Sequence, residues 1–245
     1  MPKPTFFNLP DDKRSRVVEA AIDEFASRPY SKASISRICA VADIAKGSFY
    51  QYFTGKLDLY RWLVFDELGS RKMAFMRSLG PPPPGGLFVS FEHLVVAGMR
   101  WALANPRYVR VAEWSLNPGH ASDLRPIANE VHAMTVQGMR AWLEQGQAAG
   151  EVRSDIDLDV SAELTSTLMR SGLDSLLRRR LGADMWELSA KADEPLAVDQ
   201  DLLREIAHEL LGFVRAAVGT GEGSGWALDI DSLPHMPPKH NLEPS

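Results

Sequence analysis

Residues 34–53 read SISRICAVADIAKGSFYQYF. Two short amphipathic helical patterns lie in this stretch, joined by a tight break at Asp43-Ile44-Ala45. Ile35, Ile38, Ile44, Phe49 and Phe53 supply an apolar side that would hold both helices against a neighbour. The second pattern carries small, basic and aromatic hydrogen-bonding side chains instead of a second apolar face. A helix divided in this way packs one side on protein and can offer the other to the DNA major groove. Asp43 suits the break because it tolerates the left-handed conformation better than a bulky residue, though less well than glycine.

The flanks extend the pattern. Val17, Val18, Ala21, Ile22 and Phe25 recur at helical spacing between Asp12 and Ser27, with Asp12 placed as N-cap. Arg28-Pro29-Tyr30 ends that helix, because the residue before a proline disfavours the helical region. Ser34 is placed to cap the second helix, through Ile35, Ile38, Val41 and Ala42, and the third runs from about Ala45 to Phe53. Thr54-Gly55 opens a fourth, reaching about Leu79, with Asp58 set to interact with its N-terminus. Residues 1–10 are proline-rich and read as loose.

The run Gly80-Pro81-Pro82-Pro83-Pro84-Gly85-Gly86 is the clearest break, read as a surface loop, with a proline-rich recognition ligand as the alternative. Further helices are predicted at about 87–104, 106–116, 122–148, 157–181 and 199–218. Pro126 stands either at a boundary or in a first helical turn, and Asn117-Pro118-Gly119 signals a turn. Strand-like alternation is nearly absent. The expectation is an all-α fold: an N-terminal three-helix helix-turn-helix domain over 1–55, a larger helical body for ligand binding and dimerisation over 56–218, and a flexible or draped tail over 219–245.

Composition fits such a protein. The 245 residues are 45% hydrophobic, ample for a packed core, and 24% charged. The formal net charge of −5 taken alone argues against nucleic acid, but its distribution does not. Residues 1–56 hold nine Lys/Arg against six Asp/Glu, while the remainder holds 18 against 26. A basic head on an acidic body suits a DNA-binding module joined to something else. The same asymmetry also arises from differently solvated surfaces. No signal peptide or apolar run of membrane-spanning length is read in the chain, and the single Cys39 excludes an internal disulfide. A cytoplasmic location is expected.

Ala45, Lys46, Ser48, Tyr50, Gln51 and Tyr52 are left on the exposed sides of the third helix. Lys46 can bind a phosphate or a guanine edge, Gln51 can pair with adenine, and a tyrosine face can pack on a thymine methyl. Gly47 allows close backbone approach. Ser34, Ser36 and Arg37 can donate to phosphates, and Lys56 stands where charge and free N–H groups both favour one. Each residue alone has a plainer reading as solvated surface; the set in this order does not.

With VVEAAIDEFA before it and GKLDLY after it, this stretch resembles the N-terminal domain of TetR-type transcriptional regulators. The resemblance covers residues 12–65, and its specific part is the aromatic pair before Phe53 with Lys56 three residues beyond. It implies an all-helical homodimer that binds a near-palindromic operator, usually as a repressor. It also implies a divergent C-terminal domain that carries the dimer interface and often binds a small-molecule inducer. Residue by residue, it places Ser34, Ser36, Lys46, Ser48, Tyr50, Gln51, Tyr52 and Lys56 at or near DNA. Asp43 stands where the family usually has glycine, and Ala45 where it often has Ser or Thr, which removes one polar contact.

In the body, Phe65, Met73, Phe91, Met99, Trp101, Trp114, Met139, Trp142 and Met169 could line an adaptable pocket for a small apolar or aromatic inducer. Arg100, Glu113, His93, His132 and Arg170 could orient the ligand. The plainer reading is an ordinary helical core. Leu164, Leu168 and Leu176 mark one stripe of the last two long helices, and Leu203, Ile206, Leu210 and Phe213 another. Such stripes can build a four-helix dimer interface or simply close the protomer core. Arg178-Arg179-Arg180 reads as a solvated helix end whose cations oppose the helix dipole.

Other signals fail. Asp155, Asp157 and Asp159 begin like a calcium loop, but Val160 stands where glycine is needed and Ser166 where glutamate is needed. The histidines lack metal-ligand spacing, and the glycine run from Gly219 to Gly225 lacks the Lys-Ser/Thr of a phosphate loop. Neither metal nor other cofactor is expected. Cys39 reads as a small buried hydrophobe, with a redox thiol as the alternative. The leading expectation is a ligand-responsive regulator that is not an enzyme. The alternative is a helical enzyme or small-molecule-binding protein whose N-terminal helices only resemble a DNA reader.

Overall fold

Phe6, in the segment expected to be loose, is fully buried in the computed structural model, which describes residues 1–116, 122–191 and 196–221. Helix α1 (Pro4–Phe7) sets the Phe6 ring against Phe53 at 4.8 Å, Trp62 at 5.0 Å and Tyr52 at 6.1 Å. Four residues are too few to show a period, so packing rather than propensity orders this segment.

Helix α2 (Asp11–Ser27) buries Val17, Val18, Ala21, Ile22 and Phe25 as expected. Its N-cap position is held by Pro10, not Asp12. A 3-10 turn (Tyr30–Lys32) leads to α3 (Ile35–Val41) and α4 (Lys46–Tyr52). Asp43, with φ of 54°, is the one non-glycine left-handed residue among those described. Its short polar side chain is what makes this turn affordable without glycine. Ser34 occupies the N-cap position of α3 but makes no side-chain cap; its N–H donates to Glu24 at 2.8 Å instead.

Helix α5 (Lys56–Trp62) continues through a π-wound segment (Leu63–Leu68) into α6 (Gly69–Ser78), giving the long fourth helix that the sequence predicts. Asp58 accepts the Thr54 N–H at 2.9 Å and so fixes its start. The Gly80–Gly86 run is an exposed loop. Gly86 has φ of 91°, and a Cβ there would meet the Glu151 carboxylate at 2.8 Å. That carboxylate accepts the Leu87 N–H at 2.9 Å, capping the next helix.

The body comprises α7 (Leu87–Ala104), α8 (Pro106–Leu116), α9 (Arg125–Ala148), α10 (Leu158–Leu181), α11 (Met185–Lys191) and α12 (Gln200–Val218). Pro126 lies in the first turn of α9. Contrary to the sequence reading, α7 is long and apolar enough to span a membrane, with mean hydropathy 1.3 over 18 residues. In this fold its Met99 and Leu103 pack with Leu203, Ile206 and Leu210 of α12. The described residues contain no strand beyond one isolated bridge, Val152 to Gly219. The predicted turn at Asn117-Pro118-Gly119, and the tail beyond Gly221, lie outside the described residues.

Three apolar clusters build the interior. The first joins α1–α5 to Val111 and Trp114 of α8 and to Leu124 and Ile127 at the entry of α9. The second gathers Leu87, Phe88, Leu143, Val152 and Val214, and the third Met99, Leu177 and Ile206. The expected dimer stripes divide accordingly. Leu176, Leu203, Ile206 and Leu210 are buried within the protomer, and Leu168 is half-buried. Only Leu164, 64% exposed, and Phe213, 50% exposed, face outward from those stripes. The most continuous apolar stripe of a helix goes to its own core, because that burial removes most apolar area from water.

Candidate nucleic-acid interface

The geometry of α4 follows from the spacing of Phe49, Tyr52 and Phe53, three residues on one helical face. All three are buried. Tyr52 was expected on the exposed side; instead it faces Phe6. Ala45, Lys46, Gly47, Tyr50 and Gln51 remain exposed, with Ser48 half-buried. A Cβ added at Gly47 would meet nothing within 4 Å, so that point of the helix is open to close approach. Ser36 is exposed on α3, and Ser34 half-buried. Lys46, Gly47, Tyr50 and Gln51 share one exposed face of α4 by helical spacing, and Tyr52 is not part of it.

Two cations expected at phosphates are committed to protein. Lys56 Nζ donates to the carbonyls of Tyr30 at 2.7 Å and Ala33 at 3.1 Å, and lies 4.4 Å from the centre of the Tyr30 ring. Burial lowers its ammonium pKa, against the opposing pull of Asp123 and Glu24. Arg37 Nε donates to both Glu24 oxygens, at 2.9 and 3.1 Å, and its Nη2 donates to the Lys32 carbonyl at 2.6 Å. Both residues brace the start of α3. The turn before α3 presents backbone carbonyls, and these cations satisfy them in place of a phosphate.

Sequence reading missed three supporting residues. Glu24 is 9% exposed. Burial pushes its carboxyl up, but the Arg37 hydrogen bond, the Ser34 N–H and the charges of Arg37 and Arg28 outweigh that and hold it below the usual range. An acid on the packed side of α2 was the available signal. Lys3 Nζ donates to the Tyr50 carbonyl at 2.7 Å, and Thr5 donates to that of Gln51. These side chains close the C-terminal end of α4, where orphan carbonyls favour a cation. Cys39 is buried, and burial raises its thiol pKa against the pull of Lys46.

The head is fastened to the body. Tyr60 Oη donates to the Val111 carbonyl at 2.6 Å, and Trp114 Nε1 to the Phe25 carbonyl at 2.9 Å. Arg71 of α6 bridges Glu67 at 2.7 Å and Glu19 of α2 at 3.1 Å.

Beyond these ties, α6, α7, α8, α10 and α11 enclose a largely apolar cavity of about 420 Å³. Of the residues read as a ligand pocket, Phe91, Met99, Trp101 and Met169 line this cavity, with Glu113 and Arg170. The other predicted pocket residues lie elsewhere. Phe65 packs on the head core beneath Arg61, and Met73 is exposed. Trp114 belongs to the head core against Trp186 at 5.0 Å. Met139 and Trp142 belong to the second cluster, where Trp142 packs on Phe91 at 4.5 Å. His132 and Arg170 line a second, more polar cavity of about 380 Å³, and His93 and Arg100 a third. Soft and aromatic residues fill core and pocket alike, so residue type could not separate the two.

Comparison with known proteins places this architecture. Residues 17–62 match the model of the bacterial regulatory proteins of the tetR family. The crystal structure of a TetR family transcriptional regulator from Chloroflexus aurantiacus J-10-FL is 31% identical, covers 90% of this chain and 99% of that one, and superposes with a TM-score of 0.63. This chain belongs to the TetR family. It is thus a transcriptional regulator with a DNA-binding helix-turn-helix. Among other TetR-type relatives, a probable acrEF/envCD operon repressor of Escherichia coli K12 is 21% identical over 177 residues, 71% of this chain and 80% of that protein. The fatty acid degradation regulator FadR of Bacillus halodurans shares the TetR fold at 18% identity, with a TM-score of 0.61 over 84% of this chain and 97% of that one.

Proposed function

We propose that this TetR-family protein is a repressor that binds a near-palindromic operator as a homodimer and responds to a small apolar or aromatic inducer. In that reading residues 1–55 are the DNA-reading head, 56–218 the regulatory and dimerising body, and the protein works in the cytoplasm beside its operator. The observation that carries the DNA reading is the outward face of α4, where Lys46, Gly47, Tyr50 and Gln51 are exposed while Phe49, Tyr52 and Phe53 anchor the helix from behind. Gln51 is the base reader, by bidentate contact to adenine. Lys46, Ser36 and the half-buried Ser34 and Ser48 contact phosphate, and Tyr50 packs on a thymine methyl. Arg37 and Lys56 act from behind, holding α3 in place.

The dimer reading draws on the outward faces of α10 and α12. Val160 and Leu164 are exposed there beside Thr167, Ser171 and Ser175, and Phe213 beside Ala216 and Ala217. A twofold pairing of these faces would bring two copies of α4 to successive major grooves. The inducer reading draws on the apolar cavity behind α8. Selection from a random duplex library, followed by titration of the selected site at several salt concentrations, tests the whole. A symmetric site should emerge, with affinity falling about 10³–10⁵-fold between 50 and 200 mM salt if six to ten phosphates are neutralised. Gln51→Ala should relax base preference by about 1–3 kcal/mol. Failure to select any site, together with salt-independent binding, would sink the proposal.

A further inference from the structure

The apolar cavity contains four charged residues, Lys72, Glu113, Arg170 and Asp174, and three are already engaged. Arg170 donates to the Leu116 carbonyl at 3.1 Å, and its charge acts on the carboxylate of Asp174. Asp174 accepts the Met185 backbone N–H, and burial and the nearby Asp184 push its carboxyl toward the neutral form. Glu113 is held by contacts within the protein. Lys72 differs. It stands on α6 at the cavity mouth and is solvent-exposed, with Nζ 5.8 Å from the centre of the Trp101 ring. No carboxylate among the described residues faces it, and burial alone lowers its ammonium pKa.

A solvent-reached cation at the mouth of an apolar cavity, paired with no carboxylate among the described residues, can pair with an incoming anion. The walls beside it, Phe91, Val95, Met99, Trp101 and Met169, offer apolar and polarisable contact only. We propose that the cavity binds a small apolar carboxylate, its hydrocarbon or aromatic body against Met99, Trp101 and Met169 and its carboxylate paired with Lys72. The inference rests on the reading of this cavity as the inducer site and adds the charge of the ligand. A single available cation matches a monoanion. A dianionic phosphate would leave one charge unmatched in a cavity that already holds Glu113 and Asp174. An amine would face Lys72 as a like charge. The volume lies at the low end of small-molecule sites, which favours a short-chain or bicyclic acid over a full-length lipid. Lys72 also follows Arg71, whose guanidinium holds Glu19 of the head, so the carboxylate would dock on the helix that reaches the DNA-reading end.

The test is calorimetric titration of the full-length protein with two matched probe sets: octanoate, 1-octanol and octylamine, and 1-naphthoate, 1-naphthalenemethanol and 1-naphthylmethylamine. In at least one set the acid should bind about ten- to a hundred-fold more tightly than the alcohol, with the amine weakest. Lys72→Met and Lys72→Gln should each bring the acid down to the level of the alcohol and leave the alcohol unchanged, while Lys72→Arg should keep the preference. Equal binding of acid and alcohol, or a preference that survives both neutral variants, overturns the carboxylate assignment but leaves the cavity as a ligand site. Failure of all six probes to bind overturns the inducer-site reading and this inference with it.

Discussion

Replacing Lys56 with methionine separates two roles that the sequence alone leaves equivalent. The substitution removes the ammonium and keeps most of the stem. The ammonium makes two well-formed bonds to carbonyls, at 2.7 and 3.1 Å, and stands 4.4 Å from the Tyr30 ring centre. Hydrogen bonds to a charged group contribute about 1.5–3 kcal/mol each, and a partly exposed cation–π contact about 0.5–1 kcal/mol. Desolvation of the ammonium opposes this, as its lowered pKa records. So does the lysine rotamer entropy of about 2 kcal/mol. The net loss should be about 1–2 kcal/mol, a fall in Tm of about 2–8 °C for a chain of this size. Calorimetric melts of wild type and Lys56→Met check that value. The second measurement is the slope of log affinity against log salt on the selected operator. A lost phosphate contact would reduce the slope by about 0.9, whereas a lost brace should leave it unchanged and lower affinity through the head's stability. An unaltered Tm with a reduced slope would refute the structural assignment and return Lys56 to the phosphate.

Further outcomes follow from individual contacts. Glu24 has a folded-state pKa below its ordinary 4.5, so the unfolded state takes up protons first as pH falls. Its contribution should be complete above about pH 4.5 and vanish as pH drops through the lower folded value. The stability difference between wild type and Glu24→Gln, read by urea unfolding, should therefore shrink in acid. Phe6→Ala should destabilise by about 3–5 kcal/mol despite its place near the terminus, because a fully buried ring leaves a cavity among Tyr52, Phe53 and Trp62; a change under 1 kcal/mol would contradict that packing. Leu164→Glu with Phe213→Glu should yield a folded monomer by light scattering, while Leu210→Ala should cost about 2–5 kcal/mol of stability and leave the oligomer intact. A fragment ending at Arg61 should fail to give a cooperative melt, since it lacks Trp62, Leu63, Val111, Trp114 and Leu124 of the head core.

Phe49 and Phe53 were legible in the sequence as an inward face, but Tyr52, which joins them, was read outward. A tyrosine serves either side of a helix, and the wall that claims it is Phe6, on a helix too short to show periodicity. The long helices of the body were legible because their apolar period is sustained over many turns. Helix α11 was not noticed, although a signal was present. Asp184 accepts the Glu187 N–H at 2.8 Å and Glu187 accepts the Asp184 N–H at 3.0 Å, a reciprocal pair three residues apart that marks a helix start. Asp157, read as a failed calcium ligand, accepts the N–H groups of Asp159 and Val160 at the start of α10. Arg178 and Arg180 at the far end of that helix pair with Asp184 and Glu209 instead of standing wholly solvated. Carboxylate roles of this kind depend on which backbone groups fold brings near, which no one-dimensional spacing reports in full.

Helix α8 carries the consequence of this architecture for regulation. One side of it lines the apolar cavity with Val109, Ala112, Glu113 and Leu116. Its other side enters the head core through Val111 and Trp114, whose backbone and indole are tied to Tyr60 and Phe25. A ligand can move the head only to the extent that it binds one arrangement of these contacts better than another. The head-facing side of α8 is closely packed, so a change on its cavity side reaches the head through displacement of the helix. On the proposed reading, Trp114 is then the residue through which induction becomes visible. Trp114 packs within the head core and donates across to α2, and Arg107 of the same helix donates to Glu19 of α2, so a displaced α8 would act on both ties.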